Sequence, residues 1–263
     1  MIQFIGQGKI VKELNAISYS LHQDEGLGVN ILLRGPGGCG KTHLAKSFCK
    51  QFGKTTIQIP RHRFNWQHDM ENIRSHIIDE VHLLKVPEVI YPILDIGRHI
   101  FALCTTESGT LPEPLTSRCI TFSFSDYDEE ELTTIVYNYA QEKRFVLEID
   151  TASAIASKSR GSPRIAKQYL DRMMFIIRRG YHELTIKGVN DAFEDIGIFN
   201  GGYTDLDMKY IELLKRLGKA SLNTLTTTLR VDKPTITDQV EPFLINRGHI
   251  KITSRGREFV SWR

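Results

Sequence analysis

The chain has 263 residues, 41% of them hydrophobic and 25% charged, with a formal net charge of +3. That length accommodates two or three small domains, each able to bury a core, and the composition is that of an ordinary soluble globular protein. Net charge this small excludes any argument for a partner from charge alone, although residues 201–263 hold 11 Lys/Arg against 7 Asp/Glu, a mildly basic end compatible with nucleic acid or with solvated surface. The four cysteines show no C-x-x-C spacing and read as free thiols rather than disulfides or a zinc site. Met1-Ile-Gln-Phe-Ile5 lacks the basic start and long apolar core of a signal peptide, and no apolar run approaches a bilayer span. A cytoplasmic protein with no membrane partner is expected, and no internal repeat or low-complexity tract is seen.

In chain order, Ile5-Gly6-Gln7 reads as a turn before an amphipathic helix around Ile10–Ile17, and Val29–Arg34 as a short buried strand. Gly35, Pro36, Gly37, Gly38, Cys39, Gly40, Lys41 and Thr42 then fill the pattern G-x-x-x-x-G-K-[ST], and apolar residues at helical spacing follow from His43 to Lys50. Strand, glycine-rich turn and helix are the setting this phosphate-binding loop requires. The glycines permit backbone torsions that turn several N–H groups towards one anion, and the helix N-terminus adds its positive dipole end. Lys41 is expected on the β- and γ-phosphates and the Thr42 hydroxyl on Mg²⁺, with a nucleoside triphosphate as ligand.

Lys54–Pro60 reads as a β-branched strand, followed by Arg61-His-Arg-Phe-Asn-Trp-Gln-His68. Those interleaved basic and aromatic residues suit either a loop facing a nucleic-acid strand or aromatic packing with the charges left in water. Ser75-His-Ile-Ile-Asp79-Glu80-Val-His82 is an apolar strand ending in adjacent acids, about 40 residues beyond the phosphate loop. At that spacing Asp79 is the expected Mg²⁺ partner and Glu80 the group that polarises the attacking water. His99–Thr106 is another buried strand, ending in the hydroxyls of Thr105 and Thr106, which suit the γ-phosphate or the attacking water. Arg118 falls at a helix-to-strand junction before Ile120–Phe124; it reads either as an arginine supplied in trans to phosphoryl transfer or as a surface salt bridge.

Acids crowd the start of a helix from Tyr127 to about Lys143, as the helix dipole favours. A second helix begins near Asp150, and Gly161-Ser-Pro-Arg164 opens a third, with Pro163 suited to its first position. After a Gly201-Gly-Tyr-Thr linker, helices are expected at Leu206–Leu217, Ser221–Leu229 and Thr235–Asn246. Strands at His249–Thr253 and Glu258–Trp262 follow, joined by Ser254-Arg-Gly-Arg257. Three helices and a basic hairpin describe a winged helix, which reads either as a DNA contact, with Lys251, Arg255 and Arg257 on phosphates giving affinity without sequence choice, or as a protein docking module.

Together these motifs resemble the AAA+ ATPases, and most closely their clamp-loader and RuvB branch. Thr105-Thr106 with Leu111-Pro-Glu-Pro-Leu-Thr-Ser-Arg118-Cys119 is similar to the sensor-1 and Ser-Arg-Cys motifs of clamp loaders. The resemblance implies that Thr106 is the sensor-1 residue and that Arg118 is a finger offered to a neighbouring subunit. Ile5-Gly6-Gln7, Asp79-Glu-Val-His82 and the chain beyond Asp126 are more similar to RuvB, the Holliday-junction branch-migration motor. From it Arg164 takes the sensor-2 role and Ile5 joins the nucleotide-binding residues.

The fold implied is α/β: an AAA+ P-loop parallel-sheet domain (residues 1–125), a small helical lid (126–200) and a C-terminal winged helix (201–263). The function implied is ATP hydrolysis coupled to moving or remodelling DNA, as in branch migration or helicase action, by a ring or spiral homo-oligomer resembling a hexamer or pentamer. A loader that delivers a clamp or helicase is the second reading. One departure bears on partners, whether clamp, helicase or junction-binding protein: Asp95–Ile100 leaves no room for the long hairpin by which RuvB docks RuvA.

Overall fold

The computed structural model describes residues 1–58, 60, 73–178, 180 and 185–261. The basic and aromatic stretch from Arg61 to His68 lies outside the described residues.

A helix, Gly8–Gln23, precedes five strands: β1 (Val29–Arg34), β2 (Thr55–Gln58), β3 (Ser75–Ile78), β4 (Ile100–Thr105) and β5 (Ile120–Ser123). They form one parallel sheet in the order β2-β3-β4-β1-β5. A parallel sheet covered on both faces favours continuous apolar runs over alternation, and every residue of β3 and β4 is buried. Leu32, Ile78, Phe101 and Leu103 pack on one face with Val81, Ile90, Leu94 and Leu115. The strands register so that Arg34 lies beside Thr105 and Ser123. The loop after β1 and the ends of β3 and β4 therefore gather at one edge of the sheet, the C-terminal edge where ligands bind in this architecture.

Between β3 and β4 the chain holds only short helical turns, Val81–Leu83 and Pro87–Ile90, and the four-residue helix Tyr91–Leu94. No strand falls there, as the short Asp95–Ile100 connection implied.

The chain divides into two compact units: Met1–Tyr139 with Gly161–Gln168, and Ala140–Arg160 with Tyr169–Arg263. In the second unit the helices Ile149–Ala156 and Ile186–Asp195 pack together. Sequence reasoning did not anticipate the latter helix, which Thr185 caps by accepting from the Gly188 N–H at 3.1 Å. Helix Asp205–Leu217 starts with a capping box between Thr204 and Asp207. It packs with Leu222–Leu229 and a third helix around Tyr210, Leu214, Leu225, Ile236 and Leu244. That third helix is not uniform: Thr235–Val240 is a π-helical turn and Glu241–Asn246 is α-helical. Pro242 lies at the junction; its missing N–H and its ring preclude the ordinary i→i−4 bond there, which the wider turn accommodates. The hairpin strands β7 (Ile250–Thr253) and β8 (Gly256–Phe259) are joined by a short strand β6 (Lys219–Ala220), giving a three-stranded antiparallel sheet in the order β6-β8-β7.

Candidate functional site

The loop after β1 is shaped by three glycines whose φ lies in the left-handed range: Gly35 at 154°, Gly38 at 81° and Gly40 at 94°. At Gly38 a side chain is excluded twice over, by that torsion and because its Cβ would stand 2.6 Å from the Cβ of Arg164. The helix Lys41–Cys49 starts directly after the loop. Lys41 is buried, and its ammonium donates to the carbonyls of Gly35 and Pro36, both at 2.8 Å. Thr42 Oγ1 lies 3.0 Å from each carboxylate oxygen of Asp79, so the hydroxyl and the acid converge across the edge of the sheet. Convergent hydroxyl and carboxylate oxygens suit a hard divalent cation such as Mg²⁺, which takes few protein ligands and keeps several waters.

Glu80 follows with φ 52° and ψ 52°, an uncommon left-handed setting for a non-glycine residue. Thr106 Oγ1 donates to Glu80 Oε2 at 3.1 Å. His82 Nδ1 stands 3.1 Å from Thr105 Oγ1 and 3.4 Å from Glu80 Oε2, while its Nε2 lies 3.6 Å from Glu107 Oε1. The two strand-end threonines thus divide their work: Thr106 holds Glu80 directly, and buried Thr105 bonds His82 and the Glu107 N–H. Sequence reasoning named both threonines but gave His82 no role. Its position three residues after Asp79 was the only signal, and that spacing does not reveal contacts with β4.

The first residues close the site from another side. Phe4 lies against the loop, its ring 3.0 Å from where a Gly40 Cβ would stand. Ile5 itself is half-buried, and Gly6 leaves space for the ring of Tyr127, which comes 2.6 Å from its would-be Cβ. The Gln7 amide bonds Ser125 in both directions, and the Tyr127 hydroxyl donates to the Cys39 carbonyl at 2.9 Å. Burial pushes both the Tyr127 phenol and the Cys39 thiol up, so both stay protonated at neutral pH. Tyr127, expected only as the start of a helix, is a strut under the phosphate loop. Arg164 heads the helix Pro163–Arg178, with Nη1 4.0 Å from where a Gly37 Cβ would stand; the loop and this arginine are neighbours within one compact unit.

Arg118 stands elsewhere. It precedes the N-terminal end of β5, whose Ile120 pairs with Ile31, whereas Gly35 follows the C-terminal end of β1. Parallel strands put these two points on opposite edges of the sheet, about 20 Å apart at 3.3 Å per residue. Its guanidinium bonds Asp95 through Nε at 2.9 Å and Nη2 at 3.2 Å.

In the winged helix, Lys251 is well exposed and pairs with Glu258 at 3.0 Å, and Arg255 is exposed at the hairpin turn. Arg257 differs from both. Its Nε and Nη2 hold the two oxygens of buried Glu241 at 2.7 and 3.2 Å, and the Tyr210 hydroxyl donates to the same carboxylate at 2.9 Å. A buried carboxylate stripped of its cation is strongly unfavourable. The charge of Arg257, expected on a DNA phosphate, is paired inside the domain, whereas Lys251 and Arg255 are the exposed cations of the hairpin.

A glycine-rich loop after β1, paired acids after β3 and threonine hydroxyls at the end of β4 are the arrangement of an ATPase of the AAA class. Residues 31–127 match the family described as "ATPase family associated with various cellular activities (AAA)". Residues 127–198 match the RuvB AAA lid domain and residues 200–261 the RuvB C-terminal winged helix domain. The chain is 30% identical over 290 residues to "Holliday junction branch migration complex subunit RuvB" of Wolinella succinogenes, covering 97% of this chain and 86% of that one. The RuvB subunit of Campylobacter jejuni strain RM1221 is likewise 30% identical, over 291 residues and the same shares. Among solved structures, the Thermotoga maritima RuvB Holliday junction branch migration motor superposes with a TM-score of 0.81 at 27% identity, covering 98% of this chain and 93% of that one. The chain belongs to the RuvB family and is an ATP hydrolase of the AAA class.

Proposed function

We propose that the chain is a subunit of a DNA branch-migration motor, binding ATP with Mg²⁺ and hydrolysing it at sites shared between copies. One observation carries the shared site: Arg118 lies on the opposite edge of the sheet from Lys41 and Thr42, too far to serve the nucleotide of its own subunit. Head-to-tail packing of copies would bring each Arg118 to a neighbour's γ-phosphate, and such packing closes into a ring or runs on as a spiral. In this reading Lys41, Thr42 and Asp79 hold the triphosphate and metal, Glu80 polarises the attacking water, and Thr106 and Arg164 sense the γ-phosphate. The lid, residues 126–200, carries the nucleotide's state to the winged helix, residues 201–263, where Lys251 and Arg255 meet DNA backbone. The working location is then with DNA in the cytoplasm.

The relatives' names support a four-way DNA junction as the substrate. The short connection between β3 and β4 means that a junction-binding partner would have to dock on another surface, and together with the clamp-loader-like Ser117-Arg118-Cys119 form it favours a loader. The lid and winged-helix matches favour the motor. The test uses purified full-length protein, ATP and a synthetic four-way junction with labelled arms. ATP-dependent exchange of the arms by the protein alone is the expected result. ATP turnover stimulated by the junction without any exchange would support a loader instead.

A further inference from the structure

We propose that Asp95 is the positioning residue of the arginine finger, holding Arg118 in the orientation in which it meets a neighbouring subunit's nucleotide. This rests on the shared-site reading given above. Arg118 is half-buried and held from several sides. Asp95 takes its Nε and Nη2 at 2.9 and 3.2 Å, the Pro114 carbonyl takes Nη1 at 2.6 Å, and the guanidinium lies over the Tyr91 ring at 4.9 Å. Three of the five N–H donors are thereby engaged, which leaves one on each terminal nitrogen for an incoming phosphate oxygen.

The two backbones that carry the pair are pinned as well. The Asn30 side-chain amide on β1 donates to the Leu94 carbonyl at 3.1 Å and to the Arg118 carbonyl at 3.2 Å. The Asp95 N–H returns to the Tyr91 carbonyl at 3.0 Å, and the Arg118 N–H to the Leu115 carbonyl at 3.3 Å. An exposed ion pair adds little to stability, so this arrangement has its effect on direction. A free arginine gives up rotamer freedom when it docks; one already held does not, and preorganised donors stabilise developing charge without rearranging.

The test compares Asp95→Ala, Asp95→Asn and Arg118→Ala in the full-length protein, reading ATP turnover with DNA present and nucleotide affinity separately. Asp95→Ala should lower kcat about tenfold, leave KM within about twofold and leave the melting temperature nearly unchanged. Asp95→Asn, which keeps one acceptor oxygen, should recover part of that loss. Mixing Asp95→Ala with Lys41→Ala subunits places intact fingers beside intact nucleotide sites, and should restore about a quarter of wild-type turnover under random assembly. Turnover in both Asp95 variants equal to or above wild type, or a change in KM alone, would overturn the role of Asp95. So would failure of the mixture to recover where Arg118→Ala mixed with Lys41→Ala does recover. Undiminished turnover in Arg118→Ala would instead sink the shared-site reading.

Discussion

Glu80 is the residue on which the contacts at the ends of β3 and β4 converge. It adopts a left-handed backbone and takes contacts from Thr106 and His82, and strain of this kind persists only where surrounding groups over-determine it. Glu80→Gln keeps the shape and removes the proposed base, so turnover should fall by about 100-fold or more while a fluorescent ATP analogue still binds. Hydrolysis near the wild-type rate would remove Glu80 from the mechanism. Gly38→Ala acts on the other half of the site. Its methyl group meets Arg164 and its torsion disfavours any side chain, so nucleotide affinity should drop at least about tenfold by the cost of an imposed left-handed residue. Equilibrium binding of labelled ATP measures it.

At the scale of elements, the winged helix combines a structural ion pair with an exposed basic tip. Arg257→Ala leaves Glu241 buried without its cation beside the Tyr210 hydroxyl, and should cost about 3–5 kcal/mol of unfolding free energy. Urea unfolding of the full chain, followed at the winged-helix tyrosines, reads that loss. Lys251→Ala and Arg255→Ala should leave stability almost unchanged. Each should instead reduce the slope of log affinity against log salt by about one on duplex DNA. A slope that stays constant in both would move the DNA contact away from the hairpin. The pairing of Lys251 with Glu258 does not prevent phosphate contact, because an exposed pair exchanges partners at little cost.

At the scale of the whole molecule, the proposed function makes half a site each of Arg118 and the phosphate loop, which lie on opposite edges of one sheet. Turnover per subunit should therefore fall on dilution while ATP binding does not, since the loop, Thr42 and Asp79 belong to one chain and the finger to the next. Turnover measured against protein concentration, alongside sedimentation, tests this; constant specific activity down to the monomer would exclude a shared site. No helix among the described residues is long and apolar enough to cross a membrane.

The sequence by itself determined what is local or periodic. The phosphate loop is contiguous, the acids end an apolar run, and Gly161-Ser-Pro-Arg164 marks a helix start, so their places in the fold follow from spacing alone. The winged helix was legible because its helices alternate with turn residues and end in a Gly-centred hairpin. Only the tertiary structure decided how those pieces are supported. Tyr127 meets Cys39 across 88 positions, Gln7 meets Ser125 across 118, and Asp95 meets Arg118 across 23. No helical or strand period links such pairs, because crossovers in a parallel sheet set who is adjacent. The same holds for Arg257 and Glu241, 16 residues apart. Spacing marked that arginine as one more charge on a basic wing, and the fold placed it against a buried acid. A charged side chain's role depends on what lies opposite it, and folding supplies that partner.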